Sequence, residues 1–168
     1  MPYQTKTSLW MENERKYFSS LSLHPIHQMG PHCVSTCLAM LTGTGPESFE
    51  GEINTQNPVT WSDALMPFGM KLAYCPSDIR KLKFYLNELV ELDDLFLLCY
   101  YTDHESLDFL DDPDQNGWIG HSHVVILYQN LILDPQTGKK YIALHHFCNE
   151  CFTKRIFRVV PKDHKRGL

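Results

Sequence analysis

Several features that define large protein classes are missing from this sequence of 168 residues. No stretch approaches the roughly 18 consecutive apolar residues of a membrane-spanning helix, and residues 1–10 lack the basic-then-apolar layout of an export signal. Glycine-rich loops that cradle phosphates or dinucleotides are also absent. We therefore expect a soluble, unprocessed protein of the cytoplasm, without a membrane partner or a cofactor.

The sequence also has no excess of positive charge. Its formal net charge is −5 with histidine neutral, so no overall basic field attracts phosphates, and we expect no nucleic-acid partner. The one basic run, residues 162–166, is interpreted as a solvated tail. Because 43% of the residues are hydrophobic, the chain can bury a core. We expect a single domain over 1–168, with an N-terminal extension, 1–20, and a basic C-terminal tail, 161–168.

The six cysteines are even in number, but the chain has no export signal and is longer than a disulfide scaffold. We therefore expect reduced thiols. Cys33 and Cys37 are four residues apart in a predicted helix, where their stacked side chains are poorly placed for a disulfide. Cys37, Cys75 and Cys99 have apolar neighbours, which favours small core residues.

Hydrophobic periodicity predicts helices first and an antiparallel sheet second. Apolar residues recur at helical spacing over 34–41, so a helix should begin at Cys33 and end before Gly43. Further helices are predicted from Ser77 to about residue 89 and over 141–151, and strands over 70–75, 95–101, 123–128, 131–134 and 155–160. This order is typical of one α+β domain.

Cys33 is the candidate nucleophile, because it falls at the first turn of its predicted helix. A helix N-terminus lowers the pKa of a thiol placed there, and the thiolate is the reactive form. The candidate bases are His121 and His123, at the start of a predicted hairpin. With a two-residue turn, Asp134 lies on the same sheet face as His123, one diagonal step away. We therefore expect His123 to be the base, with His121 as the substitute.

Gln28 is the candidate oxyanion donor. It lies shortly before Cys33, and a bend at Gly30 and Pro31 would fold its amide back toward the helix start. Together with the backbone N–H of Cys33, that amide would supply the pair of donors that an acyl-transfer intermediate requires.

The order of these residues resembles a known superfamily. Gln28 precedes Cys33, which opens a helix, and His123-Val124-Val125 and Leu133-Asp134-Pro135 follow a helix-rich segment. This layout resembles the papain-like superfamily, and within it the C39-like peptidases, the group that includes the double-glycine leader peptidases. The likeness covers roughly residues 28–160.

The resemblance implies both a fold and a chemistry. The fold would be papain-like α+β, in which an N-terminal helical half, with the nucleophile at a helix N-terminus, packs on an antiparallel β-sheet. The chemistry would be that of a cysteine peptidase, with Cys33, His123 and Asp134 as the triad and Gln28 lining the oxyanion hole.

A second cluster contains four residues of the metal-ligating types, His145, His146, Cys148 and Cys151. A Cys-x-x-Cys pair with nearby histidine suits zinc. No second Cys-x-x-Cys exists to complete a closed site, so we favour a structural helix whose cysteines pack inward. Zinc and a redox dithiol stay open as alternatives.

The preferred hypothesis is a cysteine hydrolase that acts on a peptide-type amide of a peptide or protein substrate. The sequence does not separate hydrolysis from deamidation or transpeptidation. A catalytically inactive papain-like binding or inhibitor module and a zinc-stabilised adaptor are the alternatives. Residues 47–59 and the acidic loop 111–114 are the predicted walls of the cleft.

Overall fold

The computed structural model describes residues 9–12, 15–102 and 122–168. These residues form helices α1 (Cys33–Thr42), α2 (Pro58–Leu65) and α3 (Lys83–Leu92), and strands β1 (Met70–Cys75), β2 (Leu95–Tyr101), β3 (Ser122–Tyr128), β4 (Leu131–Asp134), β5 (Lys139–Ile142) and β6 (Thr153–Pro161). Among the described residues, no helix is long and apolar enough to cross a membrane.

The strands form one antiparallel sheet in the order β1-β6-β2-β3-β4-β5. Apolar residues of α1 and α2 pack on one face of this sheet. On the other face lie α3 and two short 3₁₀ helices, Ala143–His145 and Phe147–Glu150. Because both faces of β2 are covered, nearly all of its residues are buried, as its continuous apolar run predicts.

Helix α1 has the bounds predicted from its periodicity. Gly43 ends it in the left-handed conformation, with φ +70°, which glycine adopts without steric cost. The buried Cys37 thiol donates a hydrogen bond of 3.5 Å to the carbonyl of Val124. Since Cys33 lies one turn before Cys37 on the same helix face, this packing carries Cys33 to the beginning of β3.

The β3–β4 hairpin has the predicted two-residue turn. Tyr128 pairs with Leu131 and Ile126 with Leu133, and Gln129 adopts a φ of +60° in the turn. The register predicted from the turn length is therefore confirmed. It places Asp134 at the end of β4, on the same face of the sheet as His123.

Two predicted helices are wrong in part. Residues 141–151 do not form one helix, because 139–142 pair with β4 as strand β5 and only short 3₁₀ helices follow. Helix α3 begins at Lys83 rather than Ser77, because Lys81 is held in a β-bridge by Phe152. In both places, pairing with neighbouring backbone outweighs local helical periodicity.

The basic C-terminal residues do not form the solvated tail expected from their charge. The guanidinium of Arg166 lies 4.0 Å from the centre of the Trp10 ring, and the His164 ring lies 5.9 Å from it. The backbone N–H of Leu168 donates to the carbonyl of Leu72 in β1. Packing on the buried Trp10 side chain therefore holds this segment against the domain.

Candidate active site

Cys33 is the first residue of α1 and lines a surface cleft. No side chain caps this helix, and among the described residues no acceptor is bonded to the backbone N–H groups of Cys33, Val34 and Ser35. These N–H groups and the helix dipole favour negative charge beside the thiol. The other five cysteines are buried, whereas Cys33 is partly exposed.

His123 and Asp134 form a buried hydrogen-bonded pair. His123 Nε2 lies 2.8 Å from Asp134 Oδ1, and the two side chains are 7% and 1% exposed. Because a carboxylate only accepts, Nε2 carries the proton and Nδ1 remains for exchange with the Cys33 thiol, whose proximity contributes to the raised pKa of His123. The Tyr100 ring packs edge-on against the imidazole, with 5.7 Å between the two ring centres, and restricts the rotation of the imidazole.

The ionisation of this pair is shifted strongly. Burial alone lowers the pKa of His123, but the hydrogen bonds with Asp134 and Cys33 and their charges outweigh burial and raise it to about 9. Burial raises the pKa of Asp134, yet the hydrogen bonds from His123 and His146 hold it well below its ordinary range. The arrangement therefore favours an imidazolium beside an ionised carboxylate at neutral pH.

His146 is a member of the site that sequence reasoning assigned to another role. Its Nε2 donates to Asp134 Oδ2 at 2.9 Å, while its Nδ1 accepts the backbone N–H of Cys148 at 3.1 Å. The backbone N–H of Gln136 donates to Asp134 Oδ1 at 2.9 Å. Asp134 thus receives three donors, which fix its orientation toward His123.

These contacts also bear on the zinc alternative. Both ring nitrogens of His146 are engaged in hydrogen bonds, and Cys148 is buried inside the second core cluster. His145 and Cys151 are the other two zinc candidates predicted from the sequence. In the described part of the chain, no group of three or more metal-ligating side chains has a geometry that could hold a metal ion.

Gln28 is anchored beside the triad candidates through its backbone. Its N–H donates at 2.7 Å to the carbonyl of Pro135, the residue after Asp134. Its side-chain amide turns back to Gly30, donating to that carbonyl at 2.9 Å. The predicted bend therefore exists, but one N–H of the amide is bonded to the loop itself; its assignment as oxyanion donor stays a prediction.

The cleft has two walls beside Cys33. One wall comes from Thr55, Gln56 and Trp61, so the predicted contribution of residues 47–59 is confirmed. A further part of the lining comes from the start of β6, at Lys154 and Arg155, which the sequence did not indicate. His121, the substitute base, and the loop 111–114 lie outside the described residues.

The buried thiols are poor nucleophiles. Burial raises the pKa of Cys75 and of Cys99 to about 12 and that of Cys151 to about 11. Burial also raises the pKa values of Cys37 and Cys148 well above the ordinary value. The predicted core roles of Cys37, Cys75 and Cys99 are thus confirmed by their burial.

An antiparallel sheet with the Cys33-bearing helix packed against one face is consistent with a papain-like α+β fold. Among solved structures, the chain matches a crystal structure of a double glycine motif protease from an AMS/PCAT transporter in complex with the leader peptide. The two share 15% sequence identity with a TM-score of 0.53, over 83% of this chain and 92% of that one. At this identity the likeness establishes the fold. No protein-family model and no curated protein matches the sequence.

Proposed function

We propose that this protein is a cysteine hydrolase that cleaves a peptide-type amide by acyl transfer. The observation that carries the proposal is the 2.8 Å hydrogen bond between His123 and Asp134. The other side of the imidazole interacts with Cys33, which is partly exposed while the other five cysteines are buried. The shared fold with a double glycine motif protease supports a peptide as the substrate.

The first half of the reaction uses the ion pair of Cys33 and His123. The thiolate Sγ attacks the amide carbonyl, and a carbon–sulfur bond forms as the carbonyl oxygen becomes an oxyanion. The backbone N–H of Cys33, with the Gln28 amide once it is released from Gly30, stabilises that oxyanion. His123 then gives its proton to the leaving amine, and the carbon–nitrogen bond breaks.

The second half regenerates the enzyme. His123, now neutral, takes a proton from water, and the resulting hydroxide equivalent attacks the thioester. The carboxylic acid leaves and Cys33 returns to the thiolate paired with the imidazolium. Throughout, Asp134 holds the ring orientation, because its Oδ1 accepts a hydrogen bond from the N–H that stays on Nε2. His146 acts through Asp134 as a positioning residue.

The direct test is cleavage of a mixed peptide library, read by mass spectrometry of the new termini. The wild-type protein should produce cleaved peptides and a thioester-linked acyl group on Cys33 after rapid acid quenching. Cys33→Ala should produce neither, while Cys75→Ala, which removes a buried thiol, should retain both. Products that persist in Cys33→Ala would overturn the proposal.

A further inference from the structure

Strand β6, which forms one wall of the Cys33 cleft, contains an irregularity in its pairing with β2. Cys99 pairs with Arg155, whereas the next residue, Tyr100, pairs with Thr153. Lys154 is therefore an extra residue in β6. A β-bulge of this kind redirects a side chain, and bulges are frequent beside active sites.

The bulge brings two consecutive cations to the same wall. In a regular strand, successive side chains point to opposite faces of the sheet. Here both Lys154 and Arg155 line the cleft that contains Cys33 and His123. The Nζ atom of Lys154 lies 5.8 Å from the centre of the Tyr101 ring, which holds the ammonium at the cleft wall.

Neither cation is neutralised by the described part of the chain. Both side chains are partly buried, and no Asp or Glu among the described residues forms an ion pair with Lys154 or Arg155. Burial lowers the pKa of Lys154, and the positive charge of Arg155 lowers it further. Two adjacent, partly desolvated like charges cost free energy that a bound anion would offset.

On the basis of the proposed function, we propose that Lys154 and Arg155 form a carboxylate-binding subsite of the Cys33 cleft. The preferred peptide substrate then carries an Asp or Glu side chain beside the amide that Cys33 attacks. A guanidinium binds a carboxylate through two parallel hydrogen bonds, and the neighbouring ammonium adds charge attraction.

The subsite can be tested without knowing the substrate, by comparing two alkylating reagents of nearly equal size. Iodoacetate carries a carboxylate and iodoacetamide does not, yet both react when the Cys33 thiolate displaces iodide. The ratio of their rates at Cys33, read by mass spectrometry of the labelled peptide, cancels any change in the thiolate itself. The ratio of iodoacetate to iodoacetamide rates for mercaptoethanol, a free thiol with no protein around it, is the reference value without a subsite.

We expect this ratio at Cys33 to exceed the mercaptoethanol value by about tenfold at low salt and to decrease with added NaCl. Lys154→Gln and Arg155→Gln should each lower it by about threefold, and the double variant should bring it close to the mercaptoethanol value. The matched control is Lys162→Gln, which removes one exposed positive charge just beyond the far end of β6 and should leave the ratio unchanged.

The outcomes separate the subsite from the hydrolase. An equal ratio in the wild type and in the double variant overturns the subsite, even if Cys33 is highly reactive and peptides are cleaved. If both reagents label Cys33 slowly, and at the same rate in the wild type and in His123→Ala, the proposed hydrolase is overturned. The subsite, which rests on it, is then overturned too. Enrichment of Asp and Glu next to the cleavage site in library products, lost in the double variant, supports the subsite during catalysis.

Discussion

Two buried aspartates in this fold have opposite surroundings. Asp94 is 0% exposed and pairs with Arg158 at 2.6 Å, while it also accepts the backbone N–H groups of Tyr17 and Phe18. Asp134 is 1% exposed and accepts from two histidines. A guanidinium stays charged at every accessible pH, whereas an imidazole exchanges protons near neutrality.

The two clusters also differ in their access to solvent. The Asp94 cluster is sealed by aromatic rings, with the Arg158 guanidinium 5.1 Å from the Trp10 ring centre and 4.8 Å from that of Tyr17. It fastens the N-terminal segment to β6. The Asp134 cluster ends at an open cleft, where His123 interacts with a partly exposed thiol.

The largest expected effect comes from breaking the cleft cluster. His123→Ala should lower the rate of peptide cleavage about 10²–10⁴-fold, because it removes the group that moves the proton. The rate is measured on peptides selected from the library. His24→Ala, which removes an exposed histidine, is the matched control and should keep the wild-type rate. A less than threefold loss in His123→Ala would exclude it as the general base.

Breaking the structural cluster should act on stability instead. Arg158→Met leaves Asp94 buried without its cation, and we expect the free energy of unfolding to fall by about 3–5 kcal/mol. Urea unfolding measures this change. Arg80→Met breaks an exposed pair with Asp78 and should leave the free energy of unfolding nearly unchanged. Equal losses in the two variants would contradict a structural role for the buried pair.

A dependence on pH is expected for the cleft cluster, because it contains the imidazole of His123. NMR of His123 should show a midpoint near pH 9, and Asp134→Asn should bring it down toward 6.5, because the hydrogen bond and the negative charge are lost. The raised pKa means that the folded state binds this proton more tightly than the unfolded state. Its stabilisation is complete below pH 6.5 and is lost as the pH rises through about 9. A wild-type midpoint at 6.5 would rule out the pairing.

A smaller effect is expected at His146. His146→Phe keeps the ring shape but removes the donor to Asp134 Oδ2, and the cleavage rate should fall about tenfold. His146→Gln retains an N–H donor and should recover part of the rate. Equal rates in the two variants would show that the hydrogen bond does not position Asp134.

The parts of the site that the sequence predicted are those controlled by short-range geometry. Side chains alternate between the two faces of a strand, so a hairpin with a two-residue turn brings Asp134 to the same face as His123. Helical spacing is enough to place Cys33 at the beginning of α1. The antiparallel pairing of β3 with β4 and of β4 with β5 likewise follows from the short turns that join these strands.

The missed parts depend on irregular backbone. His146 reaches Asp134 because the segment after β5 breaks into two 3₁₀ helices, which its helical periodicity does not predict. Lys154 reaches the cleft through a β-bulge, which leaves no signal in composition or alternation. The orientation of the Gln28 amide depends on one contact with Gly30. Tertiary pairing decides the first two cases, and a local side-chain contact decides the third.

The proposed hydrolase requires that an imidazole activates one of the six thiols, and competitive labelling with limiting iodoacetamide at pH 7 measures this activation. Labelling of native protein is mapped by mass spectrometry for all cysteines, in the wild type and in His123→Ala. We expect Cys33 to react well ahead of the five buried thiols and this lead to shrink strongly in His123→Ala. Labelling spread evenly over all six cysteines, or a Cys33 rate that is the same in both proteins, would contradict the proposed activation.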